Sequence, residues 1–273
     1  MRKIVIAFDG THFSQSALEY ANLFNSDKQS LVVGVFVSGL YNYPVPVFYE
    51  GMVSMNLLKP DTEDEDVILS HIKTFEDYCV KENITYRVHR ITEGNILDEL
   101  VYETRYADLA IVAGSNFLKL SFEKYVNENV QMFLEDAECP VVIVPDNCAP
   151  VENIILSYDS SPSSIKAIKA FAYTLSSLTS TSAHLVKIVP EKADHNFNLG
   201  NRMEEYLAHH FQNLSLTMLE GKPGEELNNF IRTAKNPMLV IGAYGRGYFS
   251  QLLRKSLAHD IISEHKIPIF IFH

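Results

Sequence analysis

The chain has 273 residues, 47% hydrophobic and 21% charged, with no tryptophan: ordinary globular composition, and length enough for one large domain or two of common size. Its 34 acidic against 23 basic side chains give a formal net charge of -11, which argues against nucleic acid or an anionic membrane as main partner, since both demand basic surfaces. No apolar run approaches the roughly 20 residues that span a bilayer, residues 1–9 are too short and too soon acidic for a secretion signal, and Cys79, Cys139 and Cys148 share no metal spacing, so reduced thiols in a cytoplasm are expected.

Apolar strand-like runs alternate with amphipathic stretches from the start. Strands are expected near 3–8, 31–37, 84–91, 108–113 and 140–144. Helices are expected at 14–25 (Ala17, Leu18, Ala21 and Phe24 on one face), 65–82 (Ile68, Ile72, Phe75, Cys79), 95–105 and 128–137. After the second strand, residues 38–63 include Gly39-Leu-Tyr-Asn-Tyr-Pro-Val-Pro-Val-Phe-Tyr49, whose tyrosines and prolines suit either a partner-contacting cover or a loop wrapped against its own half. The acid run Glu63-Asp-Glu-Asp66 reads as a solvated helix start. A short linker, Pro145-Asp-Asn-Cys-Ala-Pro150, leads into strands near 153–158, 183–189, 213–219, 237–241 and 268–272. Helices near 162–178, 199–211, 225–234 and 256–265 lie between them. Short doubly apolar strands alternating with helices imply a parallel sheet covered on both faces. Ligands on such sheets sit outside the carboxyl ends of the strands, at a switch in strand order.

The chain also repeats itself. Lys3-Ile-Val-Ile-Ala-Phe-Asp9 is echoed by Asn153-Ile-Ile-Leu-Ser-Tyr-Asp159, and Glu93-Gly94 with its following helix by Glu220-Gly221. Leu109-Ala-Ile-Val-Ala-Gly114 is echoed by Pro237-Met-Leu-Val-Ile-Gly242, and Cys139-Pro-Val-Val-Ile-Val144 by Ile267-Pro-Ile-Phe-Ile-Phe272. Asp9 and Asp159 stand 150 apart but Gly114 and Gly242 only 128 apart, so the first copy carries about 22 extra residues after its second strand. The expected division is 1–146 and 151–273, packed as one body. Each copy ends in a short apolar strand whose bare edge invites pairing, so 141–144 and 269–272 are expected to lie together about a pseudo-two-fold axis.

The strand 238–241 runs into Gly242-Ala-Tyr-Gly245-Arg-Gly247. Glycines there allow positive φ and close approach of backbone N–H groups. Lys255 and Ser256 follow, and Ser256 opens a capped helix pattern. A glycine turn between a strand and a helix N-terminus is a physical recipe for holding phosphate. From Gly242 to Ala258 there is no acid, whereas Arg246, Arg254 and Lys255 supply positive charge.

These features resemble the universal stress protein family: a first strand ending in Asp, then G-x-x-G, nine residues, a G-S/T pair and a final short strand. The resemblance spans both halves, as a tandem form of an adenine-nucleotide-hydrolase-like, Rossmann-like α/β domain packed as a pseudo-dimer. It implies a stress-response protein whose second half holds ATP, with magnesium as a companion, as a regulatory ligand. The residues so implicated are Asp159, Ile188, Gly242, Gly245 and Ser256; beside them Arg246, Arg254 and Lys255 of the cationic run are candidate binding residues. The departure is Lys255, which stands where ATP-binding relatives have glycine; it either blocks the phosphate or neutralises it. In the first half Gly114-Ser-Asn-Phe117 lacks the second glycine and Asn127-Glu128 replaces the final pair. A carboxylate about 4 Å from phosphate costs on the order of 4 kcal/mol at an effective dielectric of 20, so this copy is expected not to bind. Asp9 and Asp159 are alternatively end-of-strand caps, and Tyr244 and Tyr248 either flank a nucleotide or pack on the next helix.

Metal binding is not expected of His209-His210 or of His259 with His265, whose spacings point to different faces. Neither a nucleophile elbow nor a Walker frame is present, so no enzymatic role is expected, weak ATP hydrolysis aside. The alternative is a nucleotide-independent interaction scaffold of the same fold. Other partners would be an unidentified protein and further copies of the chain, with neither nucleic acid nor membrane.

Overall fold

A computed structural model of the chain describes residues 2–9, 12–26, 29–37, 45–49, 52–56, 62–92, 95–113, 132–189, 201–243 and 266–273. The first half runs β1 (Lys3–Asp9), α1 (Gln15–Phe24), β2 (Leu31–Val37), β3 (Val45–Tyr49), β4 (Met52–Asn56), α2 (Thr62–Lys81), β5 (Thr85–Ile91), α3 (Ile96–Thr104), β6 (Leu109–Ala113) and β7 (Val141–Val144). The second runs β8 (Asn153–Ser157), α4 (Pro162–Thr174), β9 (Ser182–Val189), α5 (Asn201–His210), β10 (Leu214–Glu220), α6 (Pro223–Thr233), β11 (Pro237–Gly242) and β12 (Ile269–Phe272).

Ten strands form one sheet in the order β10-β9-β8-β11-β12-β7-β6-β1-β2-β5. Read outward from the centre, the two halves repeat the same order, β12-β11-β8-β9-β10 and β7-β6-β1-β2-β5. Every pairing within a half is parallel. The join is antiparallel, with Ile269 opposite Ile143, Phe270 opposite Val142 and Ile271 opposite Val141. The terminal strands thus meet as their bare edges require, and the matching order places a pseudo-two-fold axis between them, normal to the sheet.

Alternation along the strands sends side chains to two separate cores. One holds Ile4, Ile6, Phe8, Ile154, Leu156, Val240 and Phe270 beneath α1, α2, α4 and α5. The other holds Val5, Ala7, Ile155, Leu239, Ile241 and Ile269 beneath α3, the helical residues 132–136 and α6. Each core runs through both halves, so the join is buried on both faces.

Local chemistry sets the helix starts. Ser14 caps α1 by accepting from the Ala17 N–H, and Ser161 caps α4 by accepting from the Ser164 N–H, with Pro162 in the first helical turn where a missing N–H costs nothing. α6 begins at Pro223, two residues earlier than its apolar pattern suggests, for the same reason. Gly221 before it has φ +141, which a side chain rarely tolerates. The stretch expected as one helix over 162–178 closes at Thr174, and a 3-10 turn over Ser176–Leu178 follows. Residues 38–63, read as a loop or cover, include a separate antiparallel hairpin, β3 with β4, and the start of α2. The strands expected at 31–37 and 140–144 and their companions fall within a residue or two of β1, β2 and β5 to β12. The helix expected at 256–265 lies outside the described residues.

Side chains also tie the halves. Arg2, half-buried, donates from Nη1 to the Thr174 carbonyl (2.6 Å) and from Nη2 to the Phe24 carbonyl (3.3 Å), so one guanidinium meets the carbonyl ends of α4 and α1, where helix dipoles favour a cation. Tyr20 Oη donates to the Ala149 carbonyl of the linker (2.7 Å).

Candidate functional site

The strand order reverses between β8 and β11: the chain steps outward from β8 to β9 and β10, then crosses back to β11 and β12. The β8–β11 ladder ends at Leu156 opposite Val240, before either strand's last residue. Ser157 Oγ, buried, bridges the pair by donating to the Val240 carbonyl (2.8 Å). On its other side β8 stays paired with β9 through Ser157 opposite Val186, and the Tyr158 N–H donates to the Val186 carbonyl (2.9 Å).

Of the residues singled out in the sequence, Asp159, Ile188 and Gly242 are described and share this end of the sheet. Gly245, Arg246, Arg254, Lys255 and Ser256, with Tyr244 and Tyr248, lie outside the described residues, as do Gly114 and Glu128 of the first half. Asp159 follows β8. Its Oδ1 accepts from the Ser161 N–H (2.9 Å), a local turn that presents Ser161 as the α4 cap. Its Oδ2 is buried and has no hydrogen-bond partner among the described residues. Ile188, on β9, sends its side chain into the α6-side core. A Cβ at Gly242 would lie 2.4 Å from the Ser163 carbonyl carbon and 2.5 Å from both Ser163 O and Ser164 N. Gly242 therefore has a packing reason to be glycine: the first turn of α4 presses on the end of β11.

Sequence reading passed over Lys187. It lies between Val186 and Ile188 on β9, only 5% exposed, with Nζ 3.3 Å from Ser160 Oγ and 5.7 Å from the centre of the Tyr158 ring. Ser160 itself holds φ +64, unusual for a residue with a side chain. The available signal was a charge inside the apolar run Leu185-Val-Lys-Ile-Val189. Serines 160, 161, 163 and 164 line the same turn, with Ser161 Oγ 3.0 Å from Ser163 Oγ.

The first half builds the equivalent place differently. Ala7 faces Val35 across β1 and β2 as Ser157 faces Val186 across β8 and β9, which makes Phe8 and Phe36 the counterparts of Tyr158 and Lys187. Phe13, 150 residues before Ser163, stacks on Phe8 at 4.9 Å, and Phe8 stacks on Phe36 at 4.9 Å. Rings fill the first half where the second half places a lysine and serines. The linker adds to this: Asp146 Oδ2 lies 3.5 Å from His12 Nε2, and the Asn147 N–H donates to Ser16 Oγ in the first turn of α1 (3.0 Å). Among the described residues no group of three or more His, Cys, Asp and Glu side chains could hold a metal ion, and no helix is long and apolar enough to cross a membrane.

The sheet defines a class: a duplicated Rossmann-like α/β protein, with polar residues gathered at the strand ends of its second half. Residues 173–273 match the universal stress protein family; the match begins after Asp159. A universal stress protein from Archaeoglobus fulgidus is 16% identical over 99% of this chain and 95% of its own, with a TM-score of 0.64. A structure from Pseudomonas aeruginosa described as a universal stress protein is 13% identical over 100% and 93%, with a TM-score of 0.61. A universal stress protein family protein from Arabidopsis thaliana, with AMP bound, is 15% identical over 54% of this chain and 93% of its own, with a TM-score of 0.35. At such identities the whole-chain likeness is one of fold. No match was found among curated proteins.

Proposed function

We propose that the chain is a tandem universal stress protein, divided at 1–146 and 151–273, whose second half binds one adenine nucleotide as a regulatory ligand in a cytoplasmic stress response. The observation that carries this reading is Asp159 Oδ2, a buried acceptor without a partner among the described residues, at the switch point of the sheet. Buried carboxylate oxygens are normally satisfied, and an orphan at a strand end is a place for a ligand's hydroxyl or amino group. Asp159 and the backbone around Ile188 would hold the nucleoside. The glycine turn from Gly242 to Gly245, with Arg246, Arg254, Lys255 and Ser256, would hold the phosphates and any magnesium they carry. Lys187 adds a fixed positive charge at the same end.

The first half is the structural partner. Its aromatic stack and the linker's Asp146 both work against a polyanion. Among the described residues, this end of the sheet offers neither a nucleophile–base pair nor a carboxylate pair for metal, which supports a binding role over a catalytic one. A scaffold that needs no nucleotide remains the second reading, favoured by Lys255 in place of glycine. Calorimetric titration of the full chain with ATP separates them: the proposal expects at most one site per chain. Two equivalent sites would contradict the assignment of the first half, and no heat at millimolar ATP would favour the scaffold.

A further inference from the structure

Among the described residues the ten-stranded sheet ends in β5 on one side and β10 on the other, and the two edges differ in chemistry. β5 is guarded. It carries Arg87, His89 and Arg90, and Arg90 Nη2 reaches both carboxylate oxygens of Glu65 on α2 at 2.8 Å. Charged side chains of this kind keep a sheet edge from pairing. β10 has no charge from Leu214 to Leu219, and on it Leu216 (42%) and Met218 (39%) are exposed.

The ladder decides which backbone groups of β10 stand open. The Ala183 N–H donates to the Asn213 carbonyl and the Gly221 N–H to the Val189 carbonyl, with an unbroken parallel register between them. Odd-numbered residues of β10 therefore bond to β9, and Leu214, Leu216, Met218 and Glu220 turn their N–H and C=O groups to the free edge. This set matches itself when reversed. An antiparallel copy centred on Thr217 sets Leu216 opposite Met218 and Leu214 opposite Glu220, and each such pair can exchange both hydrogen bonds. Thr217 then meets its own copy at the close, non-hydrogen-bonded position, a cross-strand pairing that favours threonine. The exposed apolar side chains cover each other, and no like charges are opposed.

We propose that β10 is the docking edge for a second copy of this chain, joined antiparallel about a two-fold axis at Thr217 so that the two sheets become continuous. The seam of β7 with β12 uses the same geometry inside one chain. The occupant follows from the register: β10 is its own complement, in apolar pairs and in open backbone groups alike. Seven residues make a small interface beside the roughly 1,200–2,000 Å² of a standard one. The chain is accordingly a monomer at low micromolar concentration and pairs as the concentration rises. The pairing is independent of the nucleotide reading and stands whether or not ATP binds.

Cysteine substitution reads the register. In the two-fold pair the Thr217 Cα atoms lie about 4.5 Å apart, within disulfide reach, whereas the Ser215 positions of the two copies lie about 13 Å apart. Full-length Thr217→Cys, concentrated and air-oxidised, should give at least about tenfold more covalent dimer on non-reducing gels than Ser215→Cys or the parent chain. Sedimentation velocity of the parent should show a reversible shift from monomer to dimer between about 5 and 500 µM. Leu216→Lys/Met218→Lys, at two exposed positions, opposes like charges across the axis and should stay monomeric over that range with a little-changed denaturation midpoint. A parent chain that stays monomeric, equal cross-linking at 215 and 217, or a dimer that persists in the lysine variant overturns the proposal. Open-ended oligomers overturn it too, since they mark a head-to-tail contact in place of a two-fold one.

Discussion

Lys187 occupies the position in the second half that Phe36 occupies in the first, fixed by the matching registers of β8 with β9 and β1 with β2. The two copies thus keep one backbone and differ in what lies at the strand ends. Lys187→Met keeps the length of the buried stem while removing the ammonium group, so stability should change by no more than about 1 kcal/mol. ATP affinity should fall by about tenfold or more, roughly 1.4 kcal/mol. Unchanged affinity in calorimetry would reduce Lys187 to a tether for Ser160.

Asp159→Asn separates capping from binding. Asparagine keeps an oxygen for the Ser161 N–H, so the α4 cap survives, and it removes a charge from a poorly satisfied place. Denaturation midpoints should move little or upward. Nucleotide affinity should drop about tenfold or more, since a donor replaces the acceptor. A less stable protein with full affinity would mean that Asp159 serves the turn alone.

Gly242→Ala is a packing test. The new Cβ would sit 2.4–2.5 Å from the backbone of Ser163 and Ser164, which cannot rotate away. Overpacking of this kind costs about 1–3 kcal/mol, and the loss should appear in urea denaturation without any nucleotide present. Weaker ATP binding in this variant is then a consequence of a displaced α4 and does not mark a lost phosphate contact. Stability equal to the parent would show that β11 and α4 part easily.

Much of this architecture was legible because strands such as Val141–Val144 and Ile269–Phe272 are apolar on both faces and recur in order, and because Ser14 and Ser161-Pro162 announce their helices. The hairpin of β3 and β4 was not, since Pro46 inside β3 argues against a strand in a larger sheet and is accommodated in an isolated two-stranded one. The position of Asp159 just past the end of β8 was legible, because it is a matter of chain order. Lys187 was hidden because a single charge in a strand ordinarily marks a solvent face, whereas tertiary packing buries this one. Gly242 was read for its freedom toward a ligand, while the space it leaves is taken by a helix distant in sequence.

Alkaline pH should unfold the protein through its buried thiols. Burial pushes Cys79 and Cys139 up to about 12 from an ordinary value near 9, with Glu76 and Asp108 adding smaller repulsions. Above about pH 9 the unfolded chain has lost these protons and the folded chain keeps them, so stability is full below that pH and falls as pH rises toward 12. The slope is about 1.4 kcal/mol per pH unit for each thiol. Tyr20, also raised by burial, adds to the loss above about pH 10. Cys79→Ala/Cys139→Ala should be less stable at neutral pH, from lost packing, yet show a shallower decline between pH 9 and 10. An equal slope in both proteins would place the titration elsewhere.

The last strand carries the join. Phe270 is fully buried, pairs with Val142 across the antiparallel seam and meets Phe171 of α4 edge-on at 5.3 Å. Two truncations of different depth test what that seam holds. Phe270→Ala removes a large ring from a core shared by both halves and should cost about 3–5 kcal/mol while the backbone ladder persists, leaving a folded monomer of lower denaturation midpoint. Deleting residues 267–273 removes the ladder itself and bares β7 on one side and β11 on the other. Apolar edges of this kind pair with whatever strand is available, so the shortened chain should dimerise through β7 or aggregate. Size-exclusion chromatography with light scattering reads the difference. A deleted chain that stayed monomeric and as stable as the parent would show that β12 does not hold the halves together, and that Arg2, reaching from β1 to the end of α4, suffices.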